Sequence, residues 1–433
     1  MMSLMAFFTS YSAISGQSAN WEKSQIFFGK HVSSSRALML KQMAGMQSGS
    51  LPFKYLGVPL FKGAPKRRWL QSIADSVVAK LDNWKGSSLS MAGHLSLINS
   101  IIFGSFIHSF LVYKWPSLLL KSLERCLKNF LWTGSTISKK LVSVRWDICC
   151  SPLDEGGLNL KRLHLLNSSM LSKLAWKLMS HEGYFFRFLR SRFLYKSKVV
   201  RSSHINSSIW SSIQGCYAEL LRQSQWVVYK HSSLNFWNDK WLDYVIADKI
   251  GIPLKIRNSL CASISDLFQN NVWHLSRNFR SSFPDICSDI ESLVFTHIPS
   301  DALIYYNSPN GSLSCKLFYI NSHRLSPKVA WGKELWRHYL LPARSFLAWR
   351  LFHSRIPTDD QLCARGFHII SRCYLCANQH ESLDHTFSSC TYAVAVWMAL
   401  ASLFEVSLNL SSGFSALFHM ASSLKFSSQL RVL

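Results

Sequence analysis

An α+β fold, mainly α-helical, is predicted by three features of the sequence. Apolar residues recur at a helical period over long stretches, as at Trp69, Ile73, Val77 and Leu81. Runs of strand character are short and interrupted by proline and glycine. Near the C-terminal end, three cysteines and two histidines crowd into "RCYLCANQHESLDHTFSSC", residues 372–390. With 433 residues and 48% hydrophobic composition, the chain has enough apolar material for real cores. Its length fits about two to four domains.

Residues 21–60 read as extended pieces around turns: "SQIFFG", then "LPFKYLGVPL", where Pro52, Gly57 and Pro59 forbid a long helix. A first helix starts at Arg67 and a second, after a break at Gly86, carries Leu95, Ile98, Ile101 and Ile102. A third follows Pro116, with Leu119, Leu123, Cys126, Leu127 and Phe130 on one face. "PLDEGGLNL" is a loop, and its Gly156 and Gly157 lack the strand–loop–helix spacing of a phosphate cradle. "HLLNSSMLSKLAWKLMS" is a fourth helix. Beyond Leu234, "LNFWNDKWLD" and "ISDLF" read as a connector of small strands or turns. "ALIYYNSPNGSLSCKLFY" predicts a hairpin turning on Pro309, Asn310 and Gly311. Helical period returns from Val329, on Trp331, Leu335, Trp336 and Tyr339, and again after Pro342 in "ARSFLAWRLFHSRI". The cysteine-rich segment is a loop beyond it, ahead of a helix "YAVAVWMALASLF".

The formal net charge is +25, and it is unevenly spread. Residues 1–237 hold 30 Lys and Arg against 9 acids, the remainder 18 against 14. A surface so basic repels itself unless a polyanion covers it, which makes nucleic acid the expected partner and an anionic membrane surface the second choice. Between Glu182 and Glu219 there is no acid, while Arg187, Arg190, Arg192, Lys196, Lys198 and Arg201 interleave with Tyr184, Phe185, Phe186, Phe188, Phe193 and Tyr195. That mixture suits phosphate contacts and base stacking. It equally suits an amphipathic helix with its bases solvated, and both readings can hold together.

Gly86–Tyr113 contains no Asp, Glu, Lys or Arg and approaches the length of a membrane span. Its Ser96, Asn99, Ser100, Ser105, His108 and Ser109 favour a buried helix, so no span is expected. The N-terminal "MMSLMAFFTSYSAISGQSA" has no basic n-region, and the eight cysteines outside the cluster show no disulfide framework. An intracellular protein, nuclear or cytoplasmic and not secreted, is expected.

In the cysteine-rich segment Cys373 and Cys376 form a C-x2-C knuckle, followed by His385 and Cys390. Three thiolates and one imidazole match the preference of tetrahedral Zn²⁺ in a closed structural site. His380 competes for the third place. His385 is favoured because Thr386 and Phe387 beside it can tuck the ligand against a core, whereas His380 sits in a polar stretch.

"YLGVPL", "LSMAGHLSLINSII", "FLWTGS", "SPLDEGGLNL", "FWNDKW", "AWRLFHSRIPTDDQLCARG" and the Cys-Cys-His-Cys set occur in an order that resembles plant non-LTR (LINE-type) retrotransposon reverse transcriptases, over about residues 10–410. The last region resembles the family's reverse-transcriptase zinc-binding domain, and Cys373, Cys376, His385 and Cys390 take the places of its cluster. His94 and Leu153 depart from the basic residues the family commonly has there. On this resemblance, 1–50 is a palm-end remnant, 51–235 a helical thumb and connector, 236–325 an aromatic-rich connector with a hairpin, 326–410 the zinc-binding domain and 411–433 a tail. The thumb grips a template-primer backbone, which implies phosphate contacts at Lys66, Arg67, Arg68, Lys80 and Lys85, with Arg187, Arg190 and Arg192 as further candidates.

A polymerase of this family holds Mg²⁺ on two aspartates of a Tyr/Phe-Ala-Asp-Asp strand pair. The sequence has no such run, and its Asp359–Asp360 pair lies in the segment resembling the zinc-binding region. The expectation is a reverse-transcriptase-derived fragment with no catalytic residues of its own, binding Zn²⁺ and RNA or an RNA–DNA duplex. The alternatives are part of an active RNA-directed DNA polymerase completed by an upstream palm, or a membrane-associated or structural protein.

Overall fold

A computed structural model describes residues 2–405, 407 and 408, except 85, 139–143, 181–182, 202–206, 296–298, 324–325 and 339. Lys85, Tyr339 and the tail from 411 lie outside the described residues. The fold is α+β and mainly helical: 53% of it is helix, and the strands form only two-stranded pairs.

Two helices open the chain, α1 (Met2–Ser15) and α2 (Ser34–Ala44). The second replaces part of the extended structure expected over 21–60, and its ends explain why. Ser33 caps it by accepting the Arg36 N–H, and Gly45 closes it in the left-handed conformation. A small hairpin follows, β1 (Phe53–Tyr55) against β2 (Val58–Leu60).

The main core is built next. Helix α3 (Arg67–Asn83) buries Leu70, Ala74, Val77 and Leu81, with Trp69 and Ile73 partly buried beside that stripe. Helices α4 (Met91–Leu97) and α5 (Phe103–Phe110) run on from each other through a π-turn, Ile98–Ile102, and bury Ile98, Ile102, Phe103, Phe106 and Phe110. Helix α6 (Ser117–Thr133) presents Leu119, Leu120, Leu123, Leu127, Phe130 and Leu131. His94, which departs from the basic residue common in the family it resembles, is a core residue: its Nδ1 lies 3.0 Å from the Leu131 carbonyl oxygen and its Nε2 2.8 Å from that of Gly86.

The same core takes in Trp331, Leu335, Phe346 and Trp349 from far along the chain. They dock on the "PLDEGGLNL" loop. Trp349 donates its Nε1–H to the Gly156 carbonyl at 2.7 Å, and His353 Nε2 lies 2.8 Å from the same oxygen.

A second core gathers α7 (Leu163–Ser180), α8 (Tyr184–Phe193) and α9 (Trp210–Arg222) around Leu171, Leu178, Phe193, Ile213 and Leu220. Strand β3 (Ser224–Val227) follows α9. A third, aromatic core is centred on Phe236, Trp241 and Trp273. Within it β4 (Phe268–Gln269) and β5 (Val272–Trp273) form a tight hairpin across Asn270 and Asn271, both at positive φ as a type I′ turn requires. Helix α10 (Pro284–Glu291) closes this region.

The hairpin expected across Pro309–Gly311 is corrected. Its first arm is strand β6 (Ala302–Tyr305), but that strand pairs antiparallel with β3, about eighty residues earlier. The second arm is helix α11 (Cys315–Ser322), started by Ser314 accepting the Leu317 N–H. Helix α12 (Pro342–Phe352) then leads to the cysteine segment and to α13 (Thr391–Leu403).

Candidate metal centre

Cys373, Cys376, His385 and Cys390 each offer a ligand atom, and the four atoms lie within 4.8 Å of one another. Cys373 Sγ and Cys390 Sγ are 3.9 Å apart, Cys376 Sγ and His385 Nε2 3.2 Å. Tetrahedral zinc, with bonds of about 2.0–2.3 Å, sets its ligand atoms roughly 3.4–3.8 Å from one another. The donor set and its spacing therefore fit that ion.

Local backbone geometry assembles the set. The Cys373 N–H donates to the Gln379 carbonyl at 2.7 Å and the Cys373 carbonyl accepts from Ala377 N–H at 2.8 Å, with Ala377 in the left-handed region. This tight knuckle turns Cys376 back toward Cys373. A π-turn at His385–Ser389 brings the imidazole inward, and Ser389 Oγ lies 3.4 Å from His385 Nδ1, leaving Nε2 for an ion. Cys390 is the residue preceding α13, so its side chain stands at that helix's N-terminus.

Placement separates the two histidines. His385 is buried in the set, while His380 is exposed and its Nδ1 faces the Ser371 carbonyl at 3.1 Å. Backbone N–H groups of Asn378, and then the His385 ring, hold the Cys376 thiol down to about 6, so a ready ligand exists near neutrality. Burial pushes Cys373 the other way. Cys149, outside the set, is pushed up to about 12 by burial and stays an inert thiol.

The described basic residues singled out in the sequence differ in exposure and in what they bind. Lys66, Arg67 and Arg68 stand exposed at the start of α3, with Arg68 4.2 Å over the Trp69 ring and Arg67 donating to Gln71. Lys80 donates to Ser105 Oγ at 3.1 Å. On α8, Arg187 and Arg192 are exposed, whereas Arg190 donates to the Leu178 carbonyl at 2.9 Å and ties α8 to the end of α7. Lys198 pairs with Asp239 at 2.7 Å, and Arg201 binds the carbonyls of Leu194 and Ser191. Three of the six bases in that run are thus spent on structure.

A closed Cys3His set of this kind can hold a structural metal ion, and known proteins show what it is similar to. Residues 313–397 match the family described as zinc-binding in reverse transcriptase. Over 354 residues the chain is 22% identical to an Arabidopsis thaliana protein named "putative ribonuclease H protein", covering 75% of this chain and 55% of that one. The chain thus spans about half the length of that relative. An uncharacterized mitochondrial protein of Arabidopsis thaliana is 26% identical over 141 residues, 31% of this chain and 91% of that protein. The resemblance read from the sequence holds this far: residues 313–397 match a zinc-binding family of reverse transcriptases, and both of these relatives are plant proteins.

Proposed function

We propose that this chain is a segment derived from a plant non-LTR, LINE-type reverse transcriptase that binds Zn²⁺ through its Cys3His set and grips RNA or an RNA–DNA duplex without polymerising by itself. The observation that carries the nucleic-acid reading is helix α8. Tyr184 is 86% exposed, Phe185 and Phe188 stand out beside it, and Arg187 lies 5.0 Å over the Tyr184 ring. Exposed rings on one acid-free helix, with the guanidinium groups of Arg187 and Arg192 pairing with no acid among the described residues, serve base stacking and phosphate contact together.

The start of α3 supports the same reading. Lys66, Arg67 and Arg68 cluster where the helix dipole disfavours cations, with no acid in the first turn. A polyanion across that end would offset the repulsion. Met91–Phe110 is long and apolar enough to cross a membrane, but its Ile98, Ile102, Phe103, Phe106 and Phe110 pack into the main core. That packing favours a core helix over a membrane span; an intracellular protein, nuclear or cytoplasmic, is the reading that the scattered cysteines support.

Binding should weaken steeply with salt. Replacing Arg187 and Arg192 together by alanine should reduce the slope of log affinity against log salt by about two units. Arg190→Ala should lower Tm and leave the slope nearly unchanged, because its guanidinium holds a helix end. An unchanged slope in the double variant would sink the α8 interface. In the same preparation, magnesium-dependent primer extension should stay at background, since the sequence lacks the aspartate pair.

A further inference from the structure

A cavity of ≈ 430 Å³ lies between the "PLDEGGLNL" loop, α7 and α11. Its volume falls within the range of small-molecule sites, about 300–1,000 Å³. Leu166, Tyr319 and Ile320 give it apolar walls, and Lys161 and Lys316 give it two ammonium groups. Lys161 Nζ donates to Asn159 at 3.0 Å and sits 5.2 Å over the Tyr319 ring. Neither lysine pairs with an acid among the described residues. Glu155 also lines the cavity, with one carboxylate oxygen accepting the Ser326 N–H at 3.1 Å.

His323 is the decisive residue. It is only 8% exposed, it lines this cavity, and neither ring nitrogen has a hydrogen-bond partner among the described residues. An imidazole always carries a donor or acceptor on each ring nitrogen, and burying both without partners is costly. Residues that keep such a cost commonly serve a ligand.

We infer that this cavity binds a nucleoside monophosphate unit, with Lys161 and Lys316 on the phosphate, the base between Tyr319 and the aliphatic wall, and His323 meeting polar atoms of the base or sugar. An inorganic anion alone would leave the apolar walls uncovered and most of the volume empty. Burial, and after it the charge of Lys316, holds the Lys161 ammonium below the usual lysine range, a repulsion that a bound phosphate relieves. The site is distinct from the α8 surface and does not depend on it. The unit has two sources, a free nucleotide or one nucleotide of a single strand.

The test uses the full zinc-loaded chain. Uridine monophosphate is titrated calorimetrically, and a short oligouridylate carrying 5-iodouridine is photo-crosslinked and the adduct mapped. Saturable binding of the monophosphate, weakened about tenfold or more by Lys316→Ala and by His323→Leu, supports a free nucleotide. A crosslink at Tyr319 that both variants abolish, without monophosphate binding, supports a nucleotide within a strand. Lys316 is exposed, so its variant should fold normally, and His323→Leu should raise Tm by removing two unpaired polar atoms. The proposal is overturned if neither probe binds the cavity, if both variants leave binding unchanged, or if inorganic phosphate binds as tightly as uridine monophosphate.

Discussion

Chelating the metal from the intact chain, or replacing Cys373 by serine, should unfold residues 373–403 and abolish the helical signal of α13. The physical ground is the poverty of the interior there. Its buried apolar residues are Cys373, Cys390 and Ala393, with Cys376 and Trp397 packed against them. Structural zinc contributes about 10–16 kcal/mol in small finger peptides, comparable with the whole stability of a typical domain. Elemental analysis of purified chain should return about one zinc, near zero for Cys373→Ser or His385→Ala, and full content for His380→Ala. The outcome that sinks the ligand assignment is His385→Ala retaining its metal while His380→Ala loses it. Trp397 donates its Nε1–H to the Phe387 carbonyl at 2.8 Å, so its fluorescence should report the loss of the module directly.

Gly157→Ala should be the most damaging glycine-to-alanine substitution among the described residues. A Cβ there would stand 1.9 Å from the Ser151 carbonyl oxygen and 2.4 Å from its carbon, both backbone atoms that cannot rotate away. The neighbouring Gly156, at φ +80°, offers its carbonyl to Trp349 and His353, so opening this turn also breaks the seat of α12. A cost of about 3 kcal/mol or more is expected, read as a fall in Tm of the zinc-loaded chain. Gly104→Ala is the matched control. It lies in α5 with nothing within 4 Å of the new Cβ, and should be neutral or stabilise by roughly 0.5–1 kcal/mol. If the two variants melt alike, the close approach at Gly157 does not govern this turn.

Helices whose stripes face one core were legible in the sequence. Helix α6 buries Leu119, Leu123, Leu127 and Phe130 as their spacing predicts, and α3 needs only a small rotation, from Trp69 and Ile73 toward Leu70 and Ala74. Helix α2 was missed although its signals were present, Ser33 before it and Gly45 after it, because its exposed face leaves no apolar period to find. The failed hairpin has a different cause. "NSPNG" does turn the chain, but Leu313 and Phe318 enter the second core, and the partner of Ala302–Tyr305 is chosen by distant packing. The gathering of Cys373, Cys376, His385 and Cys390 was legible because their spacing is local. The cavity at His323 was not, since its walls come from residues 150–169 and 315–323, and no window of sequence holds both.

The docking of Trp331, Leu335, Phe346 and Trp349 onto residues 61–163 also sets the order in which the chain can mature. The bond from Trp349 to Gly156 spans 193 residues and that from His353 spans 197. Contacts of such separation slow folding, because a long loop must close before they reward it. During synthesis at about 5–20 residues per second, helices α3 to α6 would wait roughly ten to forty seconds for their missing wall. The second and third cores, complete within that interval, are in a position to form first. The early-made helices therefore leave the ribosome with an apolar face uncovered, and that interval is when this chain is most exposed to aggregation and most in need of a chaperone.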